Sequence, residues 1–482
     1  MSTSNSLPNR VLVWDDLIFD LQDRLAALDT PIYMVGGVVR DAFLRRPIAD
    51  VDIATAGSGI AVARKIANVL KGAFYPLDPD RDVGRALVDT PNGRITFDVA
   101  SFRGADLEAD LRDRDFTINA MAVDLHGDLN AVIDPCGGER DLVAKTIRRC
   151  NPQSLAQDPI RTLRGVRQSI KFGFRIEPDT LADIRQTAPR LSEVSAERVR
   201  DEIFNILSVI RPHAALRVAD SLGLLAPILP EAAALKARPG AAALPDGFAL
   251  ALNTIEQLTH VLTAISPRRT DETAAQFTLG TLVMAFDRFR KPLQAHMNRN
   301  YADDRTQQSL LVLALLLDHI NAEDIEVRAA ELRLSNPEKD RLMALARHRE
   351  RFAAVLTTGK SEIDPLTIYR YWRDTGESGV DIILLDLART LANSGVSIHQ
   401  DLWLKRVEDA GTLLYGYFHR REEWIEPPVI INGRGLMDAL RLKPGRTVGE
   451  LLEAIREAQV TGNVTNAEDA LDLARRLLDQ AE

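Results

Sequence analysis

The sequence predicts an α+β chain, a small sheet-bearing head followed by a long, mostly helical remainder. Three observations carry this. Polar–apolar alternation with period two is confined to roughly the first 149 residues, and from about Asn151 onward apolar residues recur at helical spacing. Only 5% of the 482 residues are aromatic, whereas Leu- and Ala-rich stretches recur throughout. A chain that is 45% hydrophobic and 27% charged has ordinary globular composition, which excludes bulk disorder.

In chain order, Pro31–Val35 reads as a short apolar strand, and Val38–Leu44 as a helix beginning after two glycines. Asp50–Ala54 alternates with period two, placing Asp50 and Asp52 on one face of a strand. Ala86–Val88 and Ile95–Ala100 read as a strand pair joined by Thr90-Pro91-Asn92-Gly93. Phe116–Leu125 is expected to be helical, and Ile133–Gly138 a loop. A proline- and alanine-rich stretch from Pro227 to Pro245 marks a boundary or long connection. Helices are expected at Asn253–Ile265, Gln308–His319, Pro337–Thr357, Pro365–Asp374, Asp381–Ala392 and Ile398–Phe418. A last helical module follows Pro427-Pro428 and turns at Lys443-Pro444-Gly445.

No apolar run approaches the roughly 20 residues that a membrane helix needs, the longest being Leu310–Leu317. The polar Met1–Arg10 stretch has no apolar signal core, so export is not expected. Two cysteines, Cys136 and Cys150, cannot cage a metal alone and suit a reducing cytoplasm. The formal charge is −9, from 60 Lys plus Arg against 69 Asp plus Glu, which argues on average against a nucleic-acid partner. The average hides a reversal. From Arg140 to Arg175 there are nine Lys or Arg and two Asp or Glu, a local balance of +7 that points to a polyanion.

The chemistry-bearing pattern begins at Gly36-Gly37-Val38-Val39-Arg40-Asp41. Two glycines before a helix let backbone amides approach a phosphate at the positive end of the helix dipole, and Arg40 adds a charge. Asp50 and Asp52 project side by side and could share divalent cations through oxygen. Asp98 is a candidate third carboxylate on a neighbouring strand, giving a set suited to two-metal phosphoryl or nucleotidyl transfer. Arg114-Asp115-Phe116-Thr117-Ile118-Asn119-Ala120 reads as a charged pair entering an amphipathic helix. Asp158 precedes Pro159 as a helix N-cap, and Arg161, Arg164 and Arg167 follow at steps of three, able to offer planar hydrogen-bonding edges to a base and charge to phosphates.

These motifs, in this order, resemble the bacterial-type (class II) CCA tRNA nucleotidyltransferase and poly(A) polymerase family. Asp134–Leu142, Asp158-x-x-Arg161 and Glu197–Glu202 extend the match through the catalytic half. Leu332–Glu338, Ile368–Gly376 and Pro427–Gly445 resemble members with a long helical body. The resemblance implies a nucleotidyltransferase head (1–149), a base-recognising neck (150–231), a body with a degenerate HD-like region (232–360) and a tRNA-binding tail (361–482). It implies that Asp50 and Asp52 bind two Mg2+ ions, with Asp98 as the third catalytic carboxylate. Gly36, Gly37 and Arg40 would meet the triphosphate, and Arg114, with Asp115 and Asn119, would lie beside phosphate or ribose. Asp158 and Arg161 would read the edge of CTP or ATP, and Arg164 and Arg167 would complete the pocket. The implied partner is the acceptor end and TΨC region of tRNA, in the cytoplasm, with no membrane involvement.

The chain departs from the family pattern at Asp113, where Arg is frequent, and at Gln157, where Glu is usual. Asp318-His319 reverses the order expected of an HD signature, so no second metal site is expected in the body. A poly(A) polymerase, a partial enzyme adding only CC or only A, and a silent RNA-binding relative are the alternatives. A loop that sets nucleotide choice is expected at about Asp78 to Arg94.

Overall fold

The computed structural model describes residues 11–91, 93–241, 244–266, 277–302, 305–356, 362–394 and 398–480. The polar 1–10 stretch, Asn92 of the expected hairpin turn and Thr357 lie outside the described residues. The chain divides into two compact units, Met1–Glu202 with Val218–Ile228, and Ile203–Arg217 with Leu229–Glu482.

The first unit is built on seven strands, β1 (Ile32–Val35), β2 (Asp50–Thr55), β3 (Ala73–Asp78), β4 (Val83–Thr90), β5 (Gly93–Ser101), β6 (Ala122–Asp124) and β7 (Val132–Ile133). Their order is β3-β4-β5-β2-β1-β6-β7, with β2 and β5 parallel and the other neighbours antiparallel. In β2, Val51 and Ile53 are buried while Asp50 and Asp52 point to the open face, as the alternation requires. The parallel pair needs a crossover, begun by the Gly59–Leu70 helix, which buries Val62, Ala63, Ile66 and Ala67. A Cβ at Gly59 would stand 2.3 Å from the Asp82 carbonyl oxygen and 2.7 Å from that of Val99, so only glycine lets this helix lie so close to the strands. Asp82 fastens the same corner by accepting from the Gly59 amide (2.8 Å) and the Ser101 hydroxyl (2.7 Å).

Two expectations are corrected here. Phe116–Leu125 is not a helix. It is a single 3-10 turn, Thr117–Asn119, followed by β6. Phe116, Ile118, Ala120, Met121, Ala122 and Val123 are all fully buried, so the run carries no periodicity to separate helix from interior strand. The segment from Asp78 to Arg94 is not one loop, because Val83–Thr90 within it form β4, in register with β5 from Val83–Ala100 to Thr90–Gly93.

The second unit is dominated by helices. Gly247–Ile265, Phe277–Phe286, Gln307–Leu316, Ser378–Asn393 and Gln400–His419 carry its largest apolar faces. The expected Pro337–Thr357 helix is broken into Asn336–His348 and Arg351–Leu356. A helix, Pro230–Lys236, occupies part of the Pro227–Pro245 stretch, with its proline in the first turn where no amide is needed. The helices Gly433–Leu440, Arg446–Val460 and Ala467–Asp479 share a core of Leu436, Leu451, Ile455 and Ala470. Arg370 and Arg373 tie this last module to the Pro365–Thr375 helix through Glu457 and Glu453. Among the described residues no helix is long and apolar enough to cross a membrane.

Candidate functional site

A cleft of about 1260 Å³ opens in the first unit, and Gly36, Gly37, Arg40, Asp50, Asp52, Asp98, Arg114, Asp115, Asn119, Asp158, Arg161, Arg164 and Arg167 all line it. Residues separated by over a hundred positions are thus gathered around one space, including every site residue expected from the sequence.

The Gly36-Gly37 step provides the floor. Gly36 has φ +76°, a left-handed conformation that favours glycine, and a Cβ there would stand 2.7 Å from Arg114 Nη1 and 3.6 Å from Asp52 Oδ2. The Gly37–Phe43 helix starts here, so its free amides lie at the cleft. Arg40 is buried and folds back over Gly37, donating to Asp41 (3.0 Å) and to Asn119 Oδ1 (2.5 Å). Asn119 in turn donates to Asp115 Oδ1 (2.9 Å) and Gln168 Oε1 (3.1 Å). Asp115 completes the chain with an ion pair to Arg164 (3.0 Å). Burial opposes ionisation of Asp115, but Arg164, Asn119 and the Phe116 amide outweigh it and hold its carboxyl below the usual range.

The carboxylates occupy a second wall. Arg85 on β4, Asp98 on β5 and Asp52 on β2 are register partners across three strands. Asp98 does not stand free, because Arg85 grips it with two hydrogen bonds of 2.6 and 2.7 Å. Asp52 keeps access to solvent at the cleft surface, yet protein surrounds it closely. That enclosure pushes its carboxyl above the ordinary value; Arg114 opposes the shift, while Asp98 and Asp50 add to it. A hard divalent cation would relieve this concentration of negative charge, and carboxylate oxygens are suitable donors. Among the described residues no group of three or more His, Cys, Asp or Glu is placed to hold a metal; Asp50 and Asp52 are the neighbouring carboxylates of the cleft that could offer oxygens to one.

Asp158 is not the helix N-cap expected of it. Pro159 holds that position before the Ile160–Phe172 helix, without a side-chain cap. The Asp158 carboxylate instead pairs with Arg198 (2.8 Å) and lies 3.8 Å from Arg161. Arg161 is buried and donates to Ser154 Oγ (2.9 Å), while Arg167 is paired with Glu202 (2.5 Å). The +7 segment is therefore no uniform basic surface. Arg148, Arg149, Arg164 and Arg167 are neutralised by Asp141, Asp183, Asp115 and Glu202.

Sequence reasoning left out Arg85, Gln168, Lys171, Phe172 and Arg198, which also line the cleft or hold its side chains. Period two along β4 was the available signal for Arg85. Arg198 lies in the Glu197–Glu202 motif, where only its place in the pattern was legible. In the second unit, Asp318 pairs with Arg389 (2.7 Å), a structural use of half of the reversed HD pair. Cys136 and Cys150 are both free thiols.

Comparison with known proteins agrees along the chain. Residues 32–148 match the family described as "Poly A polymerase head domain", 173–236 that described as "Probable RNA and SrmB-binding site of polymerase A", and 426–474 that described as "tRNA nucleotidyltransferase domain 2 putative". A CC-adding tRNA nucleotidyltransferase of Geobacter sulfurreducens is 32% identical, covering 93% of each chain. An A-adding tRNA nucleotidyltransferase of Deinococcus radiodurans is 29% identical over 93% of this chain and 95% of its own. Among solved structures, a CCA-adding enzyme with CTP is similar at a TM-score of 0.64 and 21% identity, covering 96% of this chain and 95% of that one. The Thermotoga maritima CCA-adding enzyme complexed with tRNA gives 0.58 and 22%, covering 97% and 95%. The fold shared with these structures is a mixed-sheet head with a mostly helical body.

Proposed function

We propose, because the chain belongs to the bacterial CCA-adding tRNA nucleotidyltransferase family, that it adds C and A residues to the 3′ end of tRNA from CTP and ATP without a nucleic-acid template. One observation carries the reading. A single cleft gathers the Gly36-Gly37 turn, the neighbouring carboxylates Asp50 and Asp52, and an Asp–Arg pair able to read a base edge.

In this reaction the tRNA 3′ hydroxyl attacks the α-phosphate in line, and pyrophosphate leaves. The free amides at the start of the Gly37–Phe43 helix, with Arg40, hold the triphosphate, while the Gly36 amide donates to the Met121 carbonyl (3.0 Å) and fixes the turn. The Arg40–Asn119–Asp115–Arg164 chain fixes Arg40 beforehand, so its orientation costs little when nucleotide binds. Asp158 and Arg161 together offer both acceptor and donor positions to the Watson–Crick edge, and Arg164 and Arg167 close the pocket. Asp50 and Asp52 would hold Mg2+, which when bound lowers the pKa of the attacking hydroxyl and steadies the leaving group. Asp98 acts beside them as the third acidic group, once Arg85 shares or releases it. Residues 1–149 carry the chemistry, 150–231 base recognition, 232–360 the helical body and 361–482 the grip on the tRNA acceptor and TΨC region. The cytoplasm, where tRNA and nucleotides meet, is the compartment this activity requires.

The test uses labelled CTP, Mg2+ and tRNA lacking CCA. Wild-type protein incorporates label, and the Asp50→Ala/Asp52→Ala protein, folded by circular dichroism, does not. Incorporation by the double variant at the wild-type rate rejects the carboxylate assignment.

A further inference from the structure

One cluster in the first unit enters this mechanism only through Arg40. Three cations surround the ring of Phe172, with Arg40 at 4.6 Å from the centroid, Arg46 at 5.3 Å and Lys171 at 5.7 Å. A ring quadrupole attracts each cation, but weakly, and cannot offset the repulsion among three of them. Arg40 has Asp41 as a close partner. Arg46 and Lys171 have no carboxylate in ion-pair contact among the described residues. Partial burial first, then the charges of Arg40, Arg167 and Arg46, lower the Lys171 pKa, and Asp41 opposes them.

The cluster also has a direction. Arg40 is buried inside the cleft, Phe172 is half-buried at its wall, and Lys171 and Arg46 are exposed. Lys171 still lines the cleft, whereas Arg46 lies beyond the lining. A triphosphate bound at Gly37 and Arg40 ends within the cleft. A row of charge that starts there and continues onto open surface matches a longer polyanion that enters from outside.

We propose that Lys171 and Arg46, gathered on Phe172, bind the phosphate backbone of the RNA 3′ strand as it enters the cleft, as a site separate from the triphosphate site at Arg40. This rests on the tRNA-adding reading for the identity of the RNA. The aromatic ring sets the spacing of the cations, and backbone phosphates supply the missing negative charge. Because the contacts are to phosphate, they position the strand without reading its sequence.

The experiment compares full-length wild type with Lys171→Ala/Arg46→Ala and with the charge-keeping Lys171→Arg/Arg46→Lys. Two readouts are taken, namely steady-state KM for tRNA ending in C and for CTP, and binding of the same tRNA without CTP across a salt series. The alanine pair raises KM for tRNA on the order of tenfold, leaves KM for CTP within about twofold, and flattens the salt slope by about 1.4, as losing two single-strand phosphate contacts requires. The charge-keeping pair restores most of the tRNA binding. A rise confined to KM for CTP would assign the cluster to the triphosphate and overturn the proposal, as would unchanged KM values and salt slope. Binding is read without catalysis, so a wild type that binds tRNA through these residues but adds no nucleotide breaks only the activity reading.

Discussion

Both units of the chain bury charge, and they treat it oppositely. In the helical unit Asp381 is fully enclosed, yet it accepts from Gln307 Nε2 (2.7 Å), pairs with Arg341 (3.2 Å) and contacts His296 Nε2 at 2.7 Å. Nearby, Arg305 and Glu338 form a second enclosed pair, and Glu338 also caps its helix through Ser335. In the cleft of the first unit, Asp52 faces Asp50 and Asp98, and at its edge Arg40, Arg46 and Lys171 gather on the Phe172 ring. Charge matched within the protein organises a fold, whereas charge left in excess is available to a ligand. In the proposed function the cluster around Asp52, rather than the matched network around Asp381, is the functional centre.

Substitutions can break this contrast, beginning with the largest effect. Asp52→Asn is expected to cut nucleotide incorporation by on the order of a thousandfold, as losing several kcal/mol of charge stabilisation implies. The same change should raise the melting temperature of the Mg2+-free protein. The folded-state pKa of Asp52 is above its unfolded value, so its ionised form is disfavoured by folding, and stability falls as pH rises from the unfolded toward the folded pKa. Asparagine removes that penalty at neutral pH. A variant both inactive and less stable would place Asp52 with the structural charges.

Asp381→Asn should act in reverse. Removing one member of an enclosed ion network costs about 3 kcal/mol or more, read as a lower urea midpoint for unfolding of the helical unit. KM for CTP in the folded protein should not move, and a shift would mean that the helical cluster serves the nucleotide.

Smaller effects sharpen the base-reading assignment. Asp158→Ala should reduce discrimination of CTP from UTP by roughly ten- to a hundredfold, the worth of a good bidentate base contact. Arg198→Ala should reduce it less, because Arg198 acts by orienting Asp158. Equal discrimination in the Arg198 variant and wild type would leave Asp158 oriented by Arg161 alone. The mildest change is in pH dependence. Protons and divalent cations compete for the Asp52 oxygens, so Mg2+ affinity is lost on acidification at a higher pH than an ordinary carboxylate would set. Asp98→Asn, which removes one like charge, should move that acid limb to lower pH when Mg2+ binding is titrated directly.

How much of this was legible follows from how far apart the interacting residues stand. The placing of Gly36-Gly37 at a helix start and of Asp50 and Asp52 on one strand face was readable because both are properties of local spacing. Asp98 was readable as a strand residue, but its capture by Arg85 depends on cross-strand register. The N-cap expectation for Asp158 failed because Arg198, forty residues on, takes its carboxylate at 2.8 Å. The helix expected at Phe116 failed because a wholly buried run has no period. Strand β3 was missed because Pro76 interrupts it and its side chains are largely exposed, so it carries no alternation. The Phe172 cluster joins Arg46 to Lys171 through a ring next in sequence to only one of them, a geometry that no linear pattern contains.

The most direct test of the central claim is the length of the product. tRNA lacking CCA, tRNA ending in C, tRNA ending in CC and an unrelated RNA are each supplied with CTP and ATP, and products are read to the nucleotide. The account predicts addition of three, two, one and no residues, in that order, with growth ending after the terminal A. Long oligo(A) on any RNA, or no addition to tRNA at all, would contradict it.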